Sequence, residues 1–196
     1  MSDLRTQFIR SLSFIFIPFW LASAQPTDTT YKILIEFGSG YGLSKDSVSQ
    51  PVSRYGISGM FRIMWKPDHR LKAGIETGWL RIASVHDEEI KNEFGTVKLN
   101  ATLKAIPVMV VFDMDIWRLN LYTGLGYYYV LSTIGAENDE ITNTQWNVGF
   151  YLALAYKYPL SEKIKLCSEL KWCSIGELGK TILLGEVFVS YNLFEW

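Results

Sequence analysis

From residue 31 onward the chain alternates large apolar residues with small or polar ones. In "WNVGFYLALAYKY" (146–158) the even positions carry Trp, Val, Phe, Leu, Leu, Tyr and Tyr; the odd positions carry Asn, Gly, Tyr, Ala, Ala and Lys. A period of two places successive side chains on opposite faces of a β-strand. The same alternation recurs and predicts eight strands, near 31–43, 54–66, 70–84, 95–112, 115–131, 144–158, 162–174 and 180–194. After residue 24 no run of 18 apolar residues remains, which excludes a bundle of transmembrane helices.

The faces are unlike in each strand. Tyr31, Ile33, Ile35, Phe37 and Tyr41 oppose Lys32, Glu36, Gly38, Gly40 and Gly42, and Tyr55, Ile57, Phe61, Ile63 and Trp65 oppose Gly56, Ser58, Arg62 and Lys66. Leu71, Ala73, Ile75 and Trp79 stand against Lys72, Gly74, Glu76 and Gly78. In the fifth strand Trp117, Leu119, Leu121, Leu125, Tyr127 and Tyr129 oppose Arg118, Asn120, Gly124 and Gly126. The seventh sets Ile164, Leu166, Leu170 and Trp172 against Lys165, Glu169 and Lys171.

Connections alternate in length. "KPDHR" (66–70), "DMD" (113–115) and "PLSEK" (159–163) read as tight turns; 44–54, 86–94, 132–143 and the shorter 174–180 read as polar links. An even number of strands with tight turns at one rim and longer loops at the other is the pattern of an all-β, eight-stranded antiparallel up-and-down barrel.

Alternation alone also fits a soluble sandwich or lipocalin-type barrel, with the apolar face inward. Two features favour the inverse, a transmembrane barrel. Aromatic residues recur ten positions apart on the apolar face: Tyr31 and Tyr41, Tyr55 and Trp65, Trp117 and Tyr127, Trp146 and Tyr156. Ten residues of a strand tilted ~45° cover roughly 23 Å, close to the ~25 Å apolar band whose borders carry aromatic girdles. Trp79 and Trp172 complete the girdle set. The other face mixes glycine with Glu36, Glu76, Glu169 and Glu186, and with Arg62, Lys72, Lys104, Arg118 and Lys171, a near-balanced set suited to pairing away from bulk water.

Two segments depart from the pattern. In the fourth strand Lys98, Asn100, Thr102 and Lys104 oppose Val97, Leu99, Ala101 and Leu103, but "AIPVMVVF" (105–112) is apolar on both faces. Pro107 there predicts a bulge or local break, and Ile106, Val108 and Val110 are expected to plug the short-turn end. In the last strand Leu183, Val187, Val189, Tyr191 and Leu193 share one side, while Phe194 and Trp196 fall on the other, so the register is expected to slip near the end or the chain to leave the ladder.

Composition sharpens the location. Of 196 residues 48% are hydrophobic, and the formal net charge of −1 gives no field to steer nucleic acid. Arg5 and Arg10, the apolar stretch 11–21 and "ASA" (22–24) read as a signal peptide, residues 1–24, cleaved before Gln25; the domain is then 25–196. Cys167 and Cys173 lie six residues apart on one strand, about 20 Å when extended, too far for a bridge.

Candidate chemistry is thin. His69 lies in a tight turn; His86 opens "HDEE" two residues after Ser84, and these are the chain's two histidines. Ser84 and His86 are the best available pair for a lipid-modifying enzyme at the rim, which would need base and nucleophile within hydrogen-bond reach. "HDEE" with Glu93, and "AENDE" (136–140), lack the spacing of a calcium loop. Phosphate-loop, dinucleotide and zinc signatures are absent. No catalytic residue, cofactor or metal is assigned. Eight strands leave an interior just wide enough for side chains, so solute diffusion is not expected.

With these features the chain resembles the small outer-membrane β-barrel proteins, the OmpX-like and "porin family" barrels. The resemblance rests on the signal, the eight amphipathic strands, "KAIPVMVVF" (104–112), "YTGLGYYYV" (122–130) and the aromatic end "YNLFEW" (191–196). It implies integral residence in the bacterial outer membrane among its lipids, with both termini periplasmic and longer loops outside. It also implies a terminal aromatic signal, here Phe194 and Trp196, read by the barrel-assembly machinery during insertion; Asn192 and Ser190 depart from the usual apolar alternation upstream of it. The function it implies is a non-enzymatic envelope protein contacting another envelope protein, one form being a subunit of a translocon or secretion assembly, as in PorT-like barrels of type IX secretion. The lipid-modifying enzyme and a secreted soluble barrel for an apolar ligand stand as alternatives.

Overall fold

The computed structural model describes residues 31–45, 55–67, 71–92, 95–116, 119–136, 139–176 and 179–196. The expected signal peptide, Trp117, Arg118 and His69 lie outside them. Eight strands follow in chain order: β1 Lys32–Lys45, β2 Tyr55–Lys66, β3 Leu71–Asn92, β4 Gly95–Ile116, β5 Leu119–Ala136, β6 Asp139–Pro159, β7 Ile164–Ile175 and β8 Lys180–Glu195. Each pairs antiparallel with the next, and β8 returns to β1, so the sheet closes on itself. Closure removes the unpaired sheet edge, the condition for crossing hydrocarbon with strands.

The strands differ in height. β2 meets β3 only as far as Ser58 and Leu80, and β6 meets β7 only from Gly149 and Ile175. Beyond those points β3 and β4 stay paired to Asn92 and Gly95, and β5 and β6 to Ala136 and Asp139. The polar segments 86–94 and 132–143, expected as loops, are therefore largely continuations of the ladder. This raised four-stranded wall of β3 to β6 runs past the apolar band, where a polar sequence no longer argues against a strand. We call this the hairpin end, and the opposite end, where Tyr31 pairs with Trp196, the terminal end.

Irregularities fall where the alternation breaks. Opposite Pro107 and Ile106 the β3–β4 ladder skips Gly78 and Trp79 without changing register, whereas Pro107 stays paired with Tyr128 on β5. Proline has no N–H to donate, and the interruption sits on the β3 side. β3 takes up extra residues between Arg81 and Ala83 and again between Val85 and Glu88. In β8, Phe194 pairs with Ile33 but Asn192 with Leu34, a one-residue shift at Leu193. That shift turns Phe194 back to the outward face, resolving its parity conflict.

The expected plug does not form as read. Val108 and Val110 are exposed outward, and the inward set is Ala105, Met109 and Val111. An apolar run on both faces offers no contrast to fix parity. The β4–β5 ladder runs without a slip from Leu99 to Ile116 and carries the parity of Met109 unchanged to Leu103, which packs on the core. Lys104 consequently points outward, not into the lumen.

Candidate functional site

The lumen is filled by one hydrogen-bonded ion network. Arg62 on β2 is fully buried at its centre. Its two terminal nitrogens donate to Glu169 across the barrel at 2.8 and 2.7 Å, its Nε donates to Glu76, and Nη1 lies 3.5 Å from Glu36. The guanidinium also lies over the Tyr122 ring, 4.5 Å from its centroid. Lys171 donates to Glu76 at 3.1 Å and pairs with Glu169 at 3.3 Å and Glu186 at 2.6 Å.

A second node lies nearer the terminal end. Lys72 bridges Asp113 at 2.8 Å and Asp115 at 2.5 Å, and Lys157 bridges Asp113 at 3.0 Å and Glu36 at 3.4 Å. Asn120 donates to both aspartates. Glu36 thus links the two nodes. Six carboxylates face four cations among the described residues, and the excess is met by neutral donors: Tyr122 to Glu36, Tyr151 to Glu76 at 2.7 Å, and Ser58 to Glu186 at 2.8 Å. Buried charges persist only with such pairing, because each ion removed from water loses several kcal/mol of solvation.

Of the residues assigned to the interior from sequence, Glu36, Arg62, Lys72, Glu76, Glu169, Lys171 and Glu186 come together here. Lys104 does not, for the reason above. Sequence reading missed Lys157, Asp113, Asp115 and Asn120 as network members. Lys157 and Asn120 already sat on the inward parity; Asp113 and Asp115 were absorbed into a turn, although β4 continues to Ile116. Tyr122, Tyr128 and Tyr151 were not singled out as network members either, although all three sat on the inward parity of their strands, and all three are buried inward. Glycines opposite make their room. A Cβ on Gly124 would lie 2.2 Å from Cε1 of Tyr151, and one on Gly149 would lie 2.5 Å from Cε2 of Tyr128.

The outer shell is the reverse of a soluble surface. Ile75, Leu125, Val148, Leu154, Leu170 and Val187 are all exposed. Such a contiguous apolar surface exceeds what a water-facing monomer shows. Aromatic rings border it at two levels. Tyr31, Trp65, Tyr156 and Trp196 lie toward the terminal end, with Tyr31 stacked on Trp196 at 6.1 Å. Tyr41, Tyr55, Trp79, Tyr127, Trp146 and Trp172 lie toward the hairpin end, with Tyr41 stacked on Tyr55 and Trp146 against Tyr127 and Tyr129. A closed barrel with an apolar exterior, two aromatic borders and an ion-filled lumen is a transmembrane barrel.

The fold is that of the small outer-membrane barrels. By structure the chain is similar to Ail, the attachment invasion locus protein of Yersinia pestis, solved with the heparin analogue sucrose octasulfate; 7% of residues are identical, the match covers 83% of this chain and 99% of that one, and the TM-score is 0.58. A major outer membrane protein from Thermus thermophilus matches with 13% identity over 83% and 99% of the two chains at a TM-score of 0.58. Neisserial surface protein A matches with 11% identity over 86% and 100% at 0.52. No family model and no curated protein matches the sequence.

Proposed function

We propose that the protein is a non-enzymatic integral component of the bacterial outer membrane. On this reading the shell anchors it in lipid, and the raised β3–β6 wall reaches beyond the membrane to contact another envelope component. The observation that carries this is the pairing of a sealed lumen with a projecting wall. Arg62, Tyr122, Tyr151 and Phe188 are fully buried across the lumen, which opposes a pore, while Ile141 near the tip of the β5–β6 hairpin is 71% exposed. Eight-stranded geometry supports the seal, and the fold shared with Ail supports a surface-contact role. The termini and short turns face the periplasm, and the hairpins face outward. Participation in a larger translocon or secretion assembly is one form of that contact. Phe194 and Trp196 serve as the insertion signal for the assembly machinery.

Single cysteines at Ile141 and Ser161, placed in a chain with Cys167 and Cys173 replaced by Ala, test location and direction together. A membrane-impermeant maleimide should label the first in intact cells and the second only after the outer membrane is permeabilised. Labelling in the opposite order would reverse the orientation. Recovery of the protein from the periplasm without detergent would remove the membrane reading. A photo-crosslinking residue at Ile141 should give discrete adducts in intact cells; its absence from every adduct would argue against contact through the wall.

A further inference from the structure

We propose that Arg81 and Lys104, on the outward face at the hairpin-end girdle, form a binding site for the phosphate of a phosphorylated glycolipid headgroup of the lipid A class. The two residues are direct cross-strand partners on β3 and β4. Like charges placed directly opposite on a sheet are destabilising unless an anion lies between them. Both are on the lipid-facing parity: Leu80 before Arg81 and Ala105 after Lys104 are buried in the lumen.

Among the residues whose side chains are described, no carboxylate neutralises the pair. Lys104 has Leu131 as its partner on β5, and the adjacent rungs bring Tyr129 opposite Ile106 and Thr133 opposite Thr102. Beyond the register shift, Ser84 pairs with Thr102, adding hydroxyls rather than carboxylates. The Arg81 guanidinium lies over the girdle residue Trp79, 5.7 Å from the ring centroid, and its Nε is buried with no hydrogen-bond partner among the described residues. A buried guanidinium N–H left unpaired is unfavourable, and by swinging off the Trp79 ring the guanidinium can donate to a phosphate oxygen with charge assistance.

Height chooses the source of the phosphate. The pair sits at the aromatic border, where acyl chains give way to headgroups, and it faces lipid rather than the lumen or bulk water. An anchored headgroup phosphate therefore reaches it with its acyl chains already lying on the apolar band below. The raised wall of β3 and β4 above the pair then stands beside the sugar. This inference rests on the outer-membrane reading for its physiological setting, but its test does not.

The folded barrel in detergent micelles is examined by native mass spectrometry with bisphosphorylated lipid A, with the same lipid after enzymatic dephosphorylation, and with inorganic phosphate as competitor. The expected result is retention of the bisphosphorylated lipid, at least about tenfold weaker retention of the dephosphorylated form, and no displacement by millimolar phosphate. Arg81→Gln with Lys104→Gln should lose that preference, and Lys104→Arg should keep it, each with an unchanged circular dichroism spectrum. Equal retention of both lipids by the unaltered protein overturns the proposal without recourse to any variant. So does an unchanged preference in the folded double variant, or displacement by free phosphate, which would mark an unselective anion site. Cell fractionation separately decides the membrane reading, so the two fail independently.

Discussion

Arg62 and Glu169 are 107 residues apart in sequence and join β2 to β7 across the lumen through two parallel hydrogen bonds. Neither side chain is exposed at all. The pair holds opposite walls of the barrel, and Glu76 and Glu36 complete the guanidinium's surroundings.

Removing one partner should therefore cost more than removing both. Arg62→Ala leaves Glu76 and Glu169 buried with less compensation, and destabilisation of about 3–5 kcal/mol is expected. Replacing Arg62 by Met together with Glu169 by Gln should be milder. Urea unfolding of the barrel in lipid vesicles measures both, and an Arg62→Ala barrel as stable as the parent would show that the network does not hold the lumen together.

Gly124 and Tyr151 are cross-strand partners, and the tyrosine ring occupies the volume a side chain on residue 124 would need. Gly124→Ala should displace the ring, weaken its hydrogen bond to Glu76, and destabilise the barrel by about 1–3 kcal/mol through overpacking. Adding Tyr151→Leu to Gly124→Ala should cost less than the sum of the two single changes, since the clash and the hydrogen bond involve the same ring. Strict additivity in the double-variant cycle would contradict the contact.

The closure of the barrel at its terminal end should depend on acid. Lys32 pairs with Glu195 at 2.5 Å, and the hydrogen bond from Lys32, with a second from Asn192, holds the Glu195 carboxyl below its ordinary value of 4.5. A depressed carboxylate value contributes stability above the unfolded-state value and loses it as pH falls through the folded one. The reciprocal backbone bonds of Tyr31 and Trp196 lie next to this pair. Their amide exchange, measured from pH 6 down to pH 3, should speed up relative to the intrinsic rate below about 4.5 in the parent and show no such step in Glu195→Gln. The same step in both proteins would assign it elsewhere.

Replacing His86 by Ala should leave lipid A acylation in cells unchanged, because the proposed function requires no base at the rim. A loss of acylation rescued by the parent chain would instead bring the lipid-modifying enzyme forward.

The sequence alone was sufficient for strand number, closure and the inside-out polarity of the wall. Those properties follow from a local rule, alternation every second residue, repeated against two solvents, and the one-residue slip at Leu193 was visible as a parity conflict at Phe194 and Trp196. The ten-residue aromatic spacing followed from the thickness of the apolar band in the same local way. What needed the tertiary structure was every feature set by the neighbouring strand. The parity of Lys104 is carried along the β4–β5 ladder through a segment with no contrast of its own, and the room for the Tyr128 and Tyr151 rings depends on a glycine one strand away. Two polar segments read as loops because composition does not distinguish a loop from a strand with water on both sides. The selection of Arg62 as the hub is likewise a matter of three-dimensional distance: sequence can place seven charged residues on one face, but only closure of the barrel brings β2 opposite β7.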